Sequence, residues 1–174
     1  CADPELVVQR AALDCLLTWR DAWLVAHTEK LHALLEPAKF RDTLAQLDLS
    51  ASSEQWGSAR PLTMQGILRL LYGMLVSRRG LRTSGAGQGA RRTAILAALF
   101  ECAPDELGLL ADLMLTSFAD RLPEPRKQLG FLGLLGDVLE HLGKPLAPSM
   151  PRFVHVVIAI AASAEPNDPT MRLL

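Results

Sequence analysis

The chain has 174 residues, of which 49% are hydrophobic and 21% charged, and its formal net charge is −1. It contains 34 Leu and 23 Ala, but only 12 Val and Ile together and 9 aromatic residues. Leu and Ala favour helices, whereas β-branched and aromatic residues favour strands. The composition therefore predicts an all-α protein with the length of one domain and enough apolar residues for a sizeable core.

Helix signals divide the first half of the chain into four predicted helices. Asp3, Pro4 and Glu5 are typical of a helix start, because they provide an N-cap, a first-turn proline and an early acid. Pro37 is expected to end the second helix, and apolar residues then recur at helical spacing after Pro61. The predicted helices cover about residues 4–19, 23–35, 39–47 and 62–76.

The second half continues this pattern after an interruption. Residues 77–90 are rich in glycine and arginine and have almost nothing to bury, which predicts a flexible basic loop. Helix starts near residues 105 and 146 are about 40 residues apart, a spacing typical of HEAT-like helical repeats. We therefore predict that residues 1–174 form a single helical-repeat segment of a longer protein. The predicted helices cover about residues 91–100, 105–121, 126–142 and 147–164.

Wide apolar stripes predict that the helices at 62–76 and 126–142 are among the best buried. The second of these contains Gly130, Gly133 and Gly136. A glycine inside a helix lowers its stability by about 1 kcal/mol relative to alanine, so these residues predict the close approach of another helix at one face. Replacing Gly133 by Leu is then expected to destabilise the fold.

Charge is distributed unevenly along the chain. Residues 55–100 contain seven arginines and no Asp or Glu, a net charge of +7, whereas the other residues carry 11 basic and 19 acidic side chains. Arginine without lysine favours phosphate contact, and RNA binding would gain affinity by counterion release. Two alternatives are that these arginines only solvate the surface or that they bind an acidic protein groove. The predicted nucleic-acid-binding residues are Arg78, Arg79, Arg82, Arg91 and Arg92.

Motifs typical of enzymes and metal sites are not found in the sequence. The three cysteines are far apart and have no paired spacing, which favours a reducing compartment, and the four histidines show no metal-ligating motif. The glycine-rich stretch before Arg91 lacks the Gly-Lys-Ser/Thr end of a nucleotide-binding loop. The apolar stretch at 153–164 is shorter than the roughly 20 residues of a membrane span. We predict no catalytic activity, cofactor, metal, small-molecule substrate or membrane binding.

Several stretches resemble one known family in the order in which they occur. Residues 8–16 read VQRAALDCL, 67–75 ILRLLYGML, 91–96 RRTAIL, 126–132 RKQLGFL and 137–139 DVL. Over about residues 8–157 the chain thereby resembles the U3 small nucleolar RNA-associated protein 20 family, also called down-regulated in metastasis. The family typically has arginine where this chain has Met74, and its basic loop is commonly rich in lysine rather than in glycine and arginine.

The resemblance implies a HEAT-like scaffold of the small-subunit processome, the nucleolar assembly on the precursor of 18S ribosomal RNA, without catalytic activity. It implies a location in the nucleus and nucleolus. The implied partners are pre-ribosomal RNA and the proteins of the U3 small nucleolar ribonucleoprotein and the processome. The alternative is a generic helical-repeat adaptor, of the transport-receptor or scaffold type, that binds protein only.

Overall fold

The computed structural model describes residues 4–18, 20, 22–76, 85–119 and 121–163. These residues form eight α-helices and three short 3-10 turns, and no strand occurs among them, which confirms the predicted all-α class. The helices are α1 (Pro4–Leu17), α2 (Ala22–Leu35), α3 (Phe40–Gln46), α4 (Arg60–Val76), α5 (Gly85–Phe100), α6 (Pro104–Leu115), α7 (Pro125–Leu142) and α8 (Met150–Ser163). The 3-10 turns are Gly57–Ala59, Thr116–Phe118 and Ala147–Ser149.

Packing between alternate helices gives the fold its repeat character. α3 packs on α5, α4 on α6 and α5 on α7, while α1 contacts α2 and α2 contacts α3. Such contacts are typical of stacked helical repeats, because no helix pair buries its apolar face without its neighbours. α6 starts at Pro104, and the turn before α8 starts at Ala147, close to the predicted repeat starts.

α4 and α7 contribute long buried faces to a single core, as predicted. Each buries seven side chains along its length. Leu71 in α4 and Val138 and Leu142 in α7 have no exposed surface. Burying a leucine of this kind contributes about 1.5 to 3 kcal/mol to the free energy of folding. The two helices therefore fix the positions of the elements packed on them, including α5 and α6.

α5 begins earlier than the sequence pattern predicts. The predicted loop 77–90 is wrong for residues 85–90, which form the first turns of α5. Ile95, Leu96 and Leu99 are fully buried and anchor this helix. Extension of an anchored helix needs no new nucleation, so the glycine-containing turns can join it. The rest of the predicted loop, 77–84, lies outside the described residues, and its flexibility stays a prediction.

Two of the three glycines of α7, Gly133 and Gly136, do not mark a close helix contact. Gly133 and Gly136 are exposed, and a Cβ atom added at either would meet no atom within 4 Å. The predicted close helix approach is therefore wrong at these two positions, and with it the reason for expecting Gly133→Leu to destabilise the fold. The helix instead packs through larger side chains on its other face, including Leu135 and Val138.

Candidate nucleic-acid interface

The seven arginines of the acid-free segment, residues 55–100, differ in their structural surroundings. Arg60 and Arg69 lie on α4, and Arg91 and Arg92 lie on α5. Three of the five predicted RNA-contacting residues fall between these helices and lie outside the described residues, so their assignment stays untested. They are Arg78, Arg79 and Arg82.

Arg60 belongs to an internal ion pair at the start of α4. Its Nε and Nη2 atoms donate hydrogen bonds to the two carboxylate oxygens of Glu106 at 2.7 and 2.9 Å, and Nη2 also donates to the carbonyl of Leu49 at 3.1 Å. Both charged side chains are only 16% exposed. The hydrogen bonds to Glu106 raise the pKa of the Arg60 guanidinium. This forked geometry matches carboxylate as well as phosphate, but here the protein itself supplies the anion.

Arg91 and Arg92 are also held by contacts within the fold. The guanidinium of Arg91 lies 4.7 Å from the ring centroid of Phe40 in α3, a cation–π distance. Arg92 forms an ion pair with Asp137 of α7 and donates to the carbonyl of Leu75 in α4 at 3.3 Å. The two consecutive arginines thus connect α5 to α3, α4 and α7, and both have structural contacts that the charge pattern did not predict.

Arg69 differs from these three because it points to solvent. It is exposed on α4, and its Nη1 donates only to the carbonyl of Gln65 within the same helix, at 3.4 Å. Two of the seven positive charges in this segment, those of Arg60 and Arg92, are therefore neutralised by ion pairs within the fold.

Three further features of the described part of the chain bear on its function: its candidate metal ligands, the Cys102 thiol and the hydropathy of its helices. No group of three His, Cys, Asp or Glu there could hold a metal ion. Burial raises the pKa of the Cys102 thiol to about 12, with the Glu106 charge as a smaller cause, so its reactive thiolate is disfavoured. No described helix combines the length and hydropathy of a membrane span.

A groove that the sequence reasoning missed lies between α4, α6 and α7. Its volume is about 840 Å³. Eight of its 15 lining residues are apolar or aromatic, and the others include Arg92 of α5 and two glycines of α7, Gly130 and Gly133. A Cβ atom added at Gly133 would meet open space. The signal in the sequence was the glycine series of α7, interpreted as an internal contact. The main apolar and aromatic lining residues are Tyr72, Leu75, Val76, Met114, Phe118, Phe131 and Leu134.

Basic residues border the groove at the start of α7. Arg126 and Lys127 are exposed in the first turn, where neither side chain makes an ion pair with any described residue. The first turn has no acidic residue and no side-chain cap, and Pro125 occupies its first position. The Lys127 and Gln128 amides donate to the carbonyl of Glu124 at 2.8 and 3.2 Å, so the backbone offers few free donors here. The two exposed basic side chains lie at the positive end of the helix dipole, and they favour a negatively charged partner.

Comparison with known proteins shows similarity along almost the whole chain. The family model described as U3 small nucleolar RNA-associated protein 20, N-terminal, matches residues 1–170. The U3 small nucleolar RNA-associated protein 20 of Schizosaccharomyces pombe is 29% identical over 181 residues, which cover 90% of this chain. The match spans only 7% of the length of that relative.

Proposed function

Since the chain belongs to the U3 small nucleolar RNA-associated protein 20 family, we propose that it is a structural scaffold segment of the small-subunit processome. In this proposal it acts in the nucleolus, where it supports 18S ribosomal RNA maturation and small-subunit biogenesis without catalysing a reaction. The observation that carries the proposal is the family match, because it includes all eight described helices. Stacked helical repeats favour such a role by offering extended surfaces to several partners.

The proposed partners are pre-ribosomal RNA and the proteins of the U3 small nucleolar ribonucleoprotein and processome. We place the RNA contact on Arg78, Arg79 and Arg82, and assign Arg91 and Arg92 to the stability of the fold. The acid-free sequence around the first three residues supports this division. So do the ion pair of Arg92 with Asp137 and the position of Arg91 over Phe40.

The test is RNA affinity as a function of salt concentration. A triple variant, Arg78→Glu, Arg79→Glu and Arg82→Glu, is compared with the wild-type chain on a transcript of the 18S precursor. We expect at least a tenfold loss of affinity and a decrease of about 2 in the log–log salt slope, because up to about 0.7 to 0.9 is lost per phosphate contact. The melting temperature should stay unchanged.

A matched triple reversal provides the control. The control replaces Arg41, Arg121 and Lys144 by Glu, which changes the net charge by the same amount. All three residues are exposed and lie far from residues 77–84 in sequence. RNA affinity equal in the two triple variants would contradict a local RNA contact. If residues 77–84 stay protected in assembled particles after ribonuclease treatment, a protein partner holds them and the adaptor alternative gains support.

A further inference from the structure

We propose that the groove between α4, α6 and α7 is the docking site of an amphipathic protein helix that carries acidic residues. This inference goes beyond the proposed function, because it requires no RNA contact and no role for residues 77–84. It rests on three features of the described residues: an apolar floor, open helix backbone, and basic side chains at one end.

The floor of the groove is suited to apolar side chains. Phe118 and Phe131 pack together with ring centroids 4.5 Å apart, and Met114 and Leu134 line the same groove. Val76, which also lines the groove, is 44% exposed. Helices dock in such grooves through apolar residues spaced three or four positions apart.

Gly133 allows a partner to approach the α7 backbone closely. Nothing in the protein occupies the space where its Cβ would lie, so internal packing does not require glycine at this position. A glycine in a helix interior is nevertheless unfavourable relative to alanine. Because Gly133 lines the groove, a second backbone can approach α7 more closely there than a larger side chain would allow.

The charge at the groove selects an acidic partner. Arg126 and Lys127 are exposed at the first turn of α7 without an ion pair to any described residue, and the positive end of the helix dipole lies with them. An acidic side chain on the docked helix would be attracted both by these two basic side chains and by the helix dipole. The chain's own residues 77–84 carry three arginines and no acid, so they do not provide the matching charge.

A protein helix fits these features better than RNA does. The rim also carries Glu124, which repels any anion. A phosphate backbone has a charge on every nucleotide, whereas a peptide helix can place its few carboxylates beside Arg126 and Lys127 and away from Glu124. Leu75, Val76 and Met114 offer no hydrogen bonds to base edges. The phenol of Tyr72 makes no hydrogen bond within the described part of the chain, so it can bind a polar group of the partner.

The experiment uses a synthetic amphipathic peptide of about 18 residues, about five helical turns. It has Leu and Phe at helical spacing and Asp and Glu at adjoining positions, and a second peptide has Lys in place of each acid. Binding to the 174-residue chain is measured by fluorescence anisotropy, and the site is located by amide chemical shifts in nuclear magnetic resonance spectra. We expect the acidic peptide to bind at least about tenfold more tightly, with shifts concentrated on groove residues.

Two pairs of variants test the site itself. Gly133→Leu fills the groove, whereas Gly73→Leu makes the same change at an exposed, open position of α4 that does not line it. Only Gly133→Leu should weaken binding, by about tenfold. Replacing Arg126 and Lys127 by Glu should weaken binding similarly, whereas the same double reversal at Arg41 and Lys144 should not.

Circular dichroism melts confirm that all four variants remain folded. The proposal is overturned if the acidic peptide does not bind, if both glycine variants bind it equally, or if the shifts lie outside the groove. It is also overturned if a single-stranded RNA, and not the acidic peptide, shifts the groove residues.

Discussion

The N-termini of α6 and α7 show two ways in which a helix start is used. In α6, Asp105 and Glu106 lie in the first turn, and Glu106 accepts hydrogen bonds from the Ala103 amide and from Arg60. In α7, the first turn holds Arg126 and Lys127 instead, with no acid. The first start has its charges satisfied inside the fold, and the second leaves them to solvent or to a partner.

This difference shows that the net charge of a sequence segment does not reveal which of its charged residues are available to bind a partner. Arg60 and Arg92 lie in the most basic segment of the sequence, yet Glu106 and Asp137 neutralise them. Lys127 lies in the acidic remainder, and its side chain is exposed. Packing, rather than local composition, decides which basic residues are available for binding.

The largest expected effect in this comparison comes from breaking the ion pair at the start of α6. Glu106→Ala leaves the Arg60 guanidinium, only 16% exposed, without its carboxylate and removes the bond to the Ala103 amide. We expect the free energy of unfolding in urea to decrease by about 3 kcal/mol. Asp105→Ala, at an exposed position of the same turn, should lower it by only about 0.5 kcal/mol. Equal losses would mean that the internal pair contributes nothing specific.

Alkaline pH should destabilise the fold through Cys102, which lies just before α6. Burial raises the pKa of Cys102 from 9.0 to about 12. Between these values the thiol ionises in the unfolded chain but stays protonated in the folded one, so stability falls as pH rises. The expected decrease is about 1.4 kcal/mol per pH unit.

The variant Cys102→Ala isolates this contribution from that of other groups. Tyr72, whose pKa is also raised by burial, remains in both chains. The difference in unfolding free energy between the two chains should therefore change with pH above about 9 and stay constant below it. A difference that is independent of pH would show that the thiol is not protected in the folded protein.

Much of the fold followed from short-range patterns in the sequence. The helices at 62–76 and 126–142 and the acidic first turn at Asp105 and Glu106 are visible in spacing and composition, because helix periodicity and capping act over a few residues. The start of α5 did not follow, because residues 85–90 are helical only through the buried anchor further along, which includes Ile95 and Leu96. Local composition does not contain that support.

The ion pairs could not be predicted for a related reason. Arg60 and Glu106 are 46 residues apart, and Arg92 and Asp137 are 45 apart. These separations match the length of a helical repeat, but pairing across repeats depends on which helix faces meet. The open groove beside Gly133 was missed because a glycine series indicates close approach without showing whether the second backbone belongs to the same chain.

One comparison tests most directly the claim that Arg60 is used within the fold whereas Lys127 is available to a partner. It reverses the charge of each residue in turn. The free energy of unfolding in urea is measured for wild type, Arg60→Glu and Lys127→Glu. We predict a loss of at least about 3 kcal/mol for Arg60→Glu, because two carboxylates then share a buried site. Lys127→Glu should instead gain about 0.5 kcal/mol from the helix dipole. Similar losses in both variants would contradict the claim that one start is used internally and the other is left for a partner.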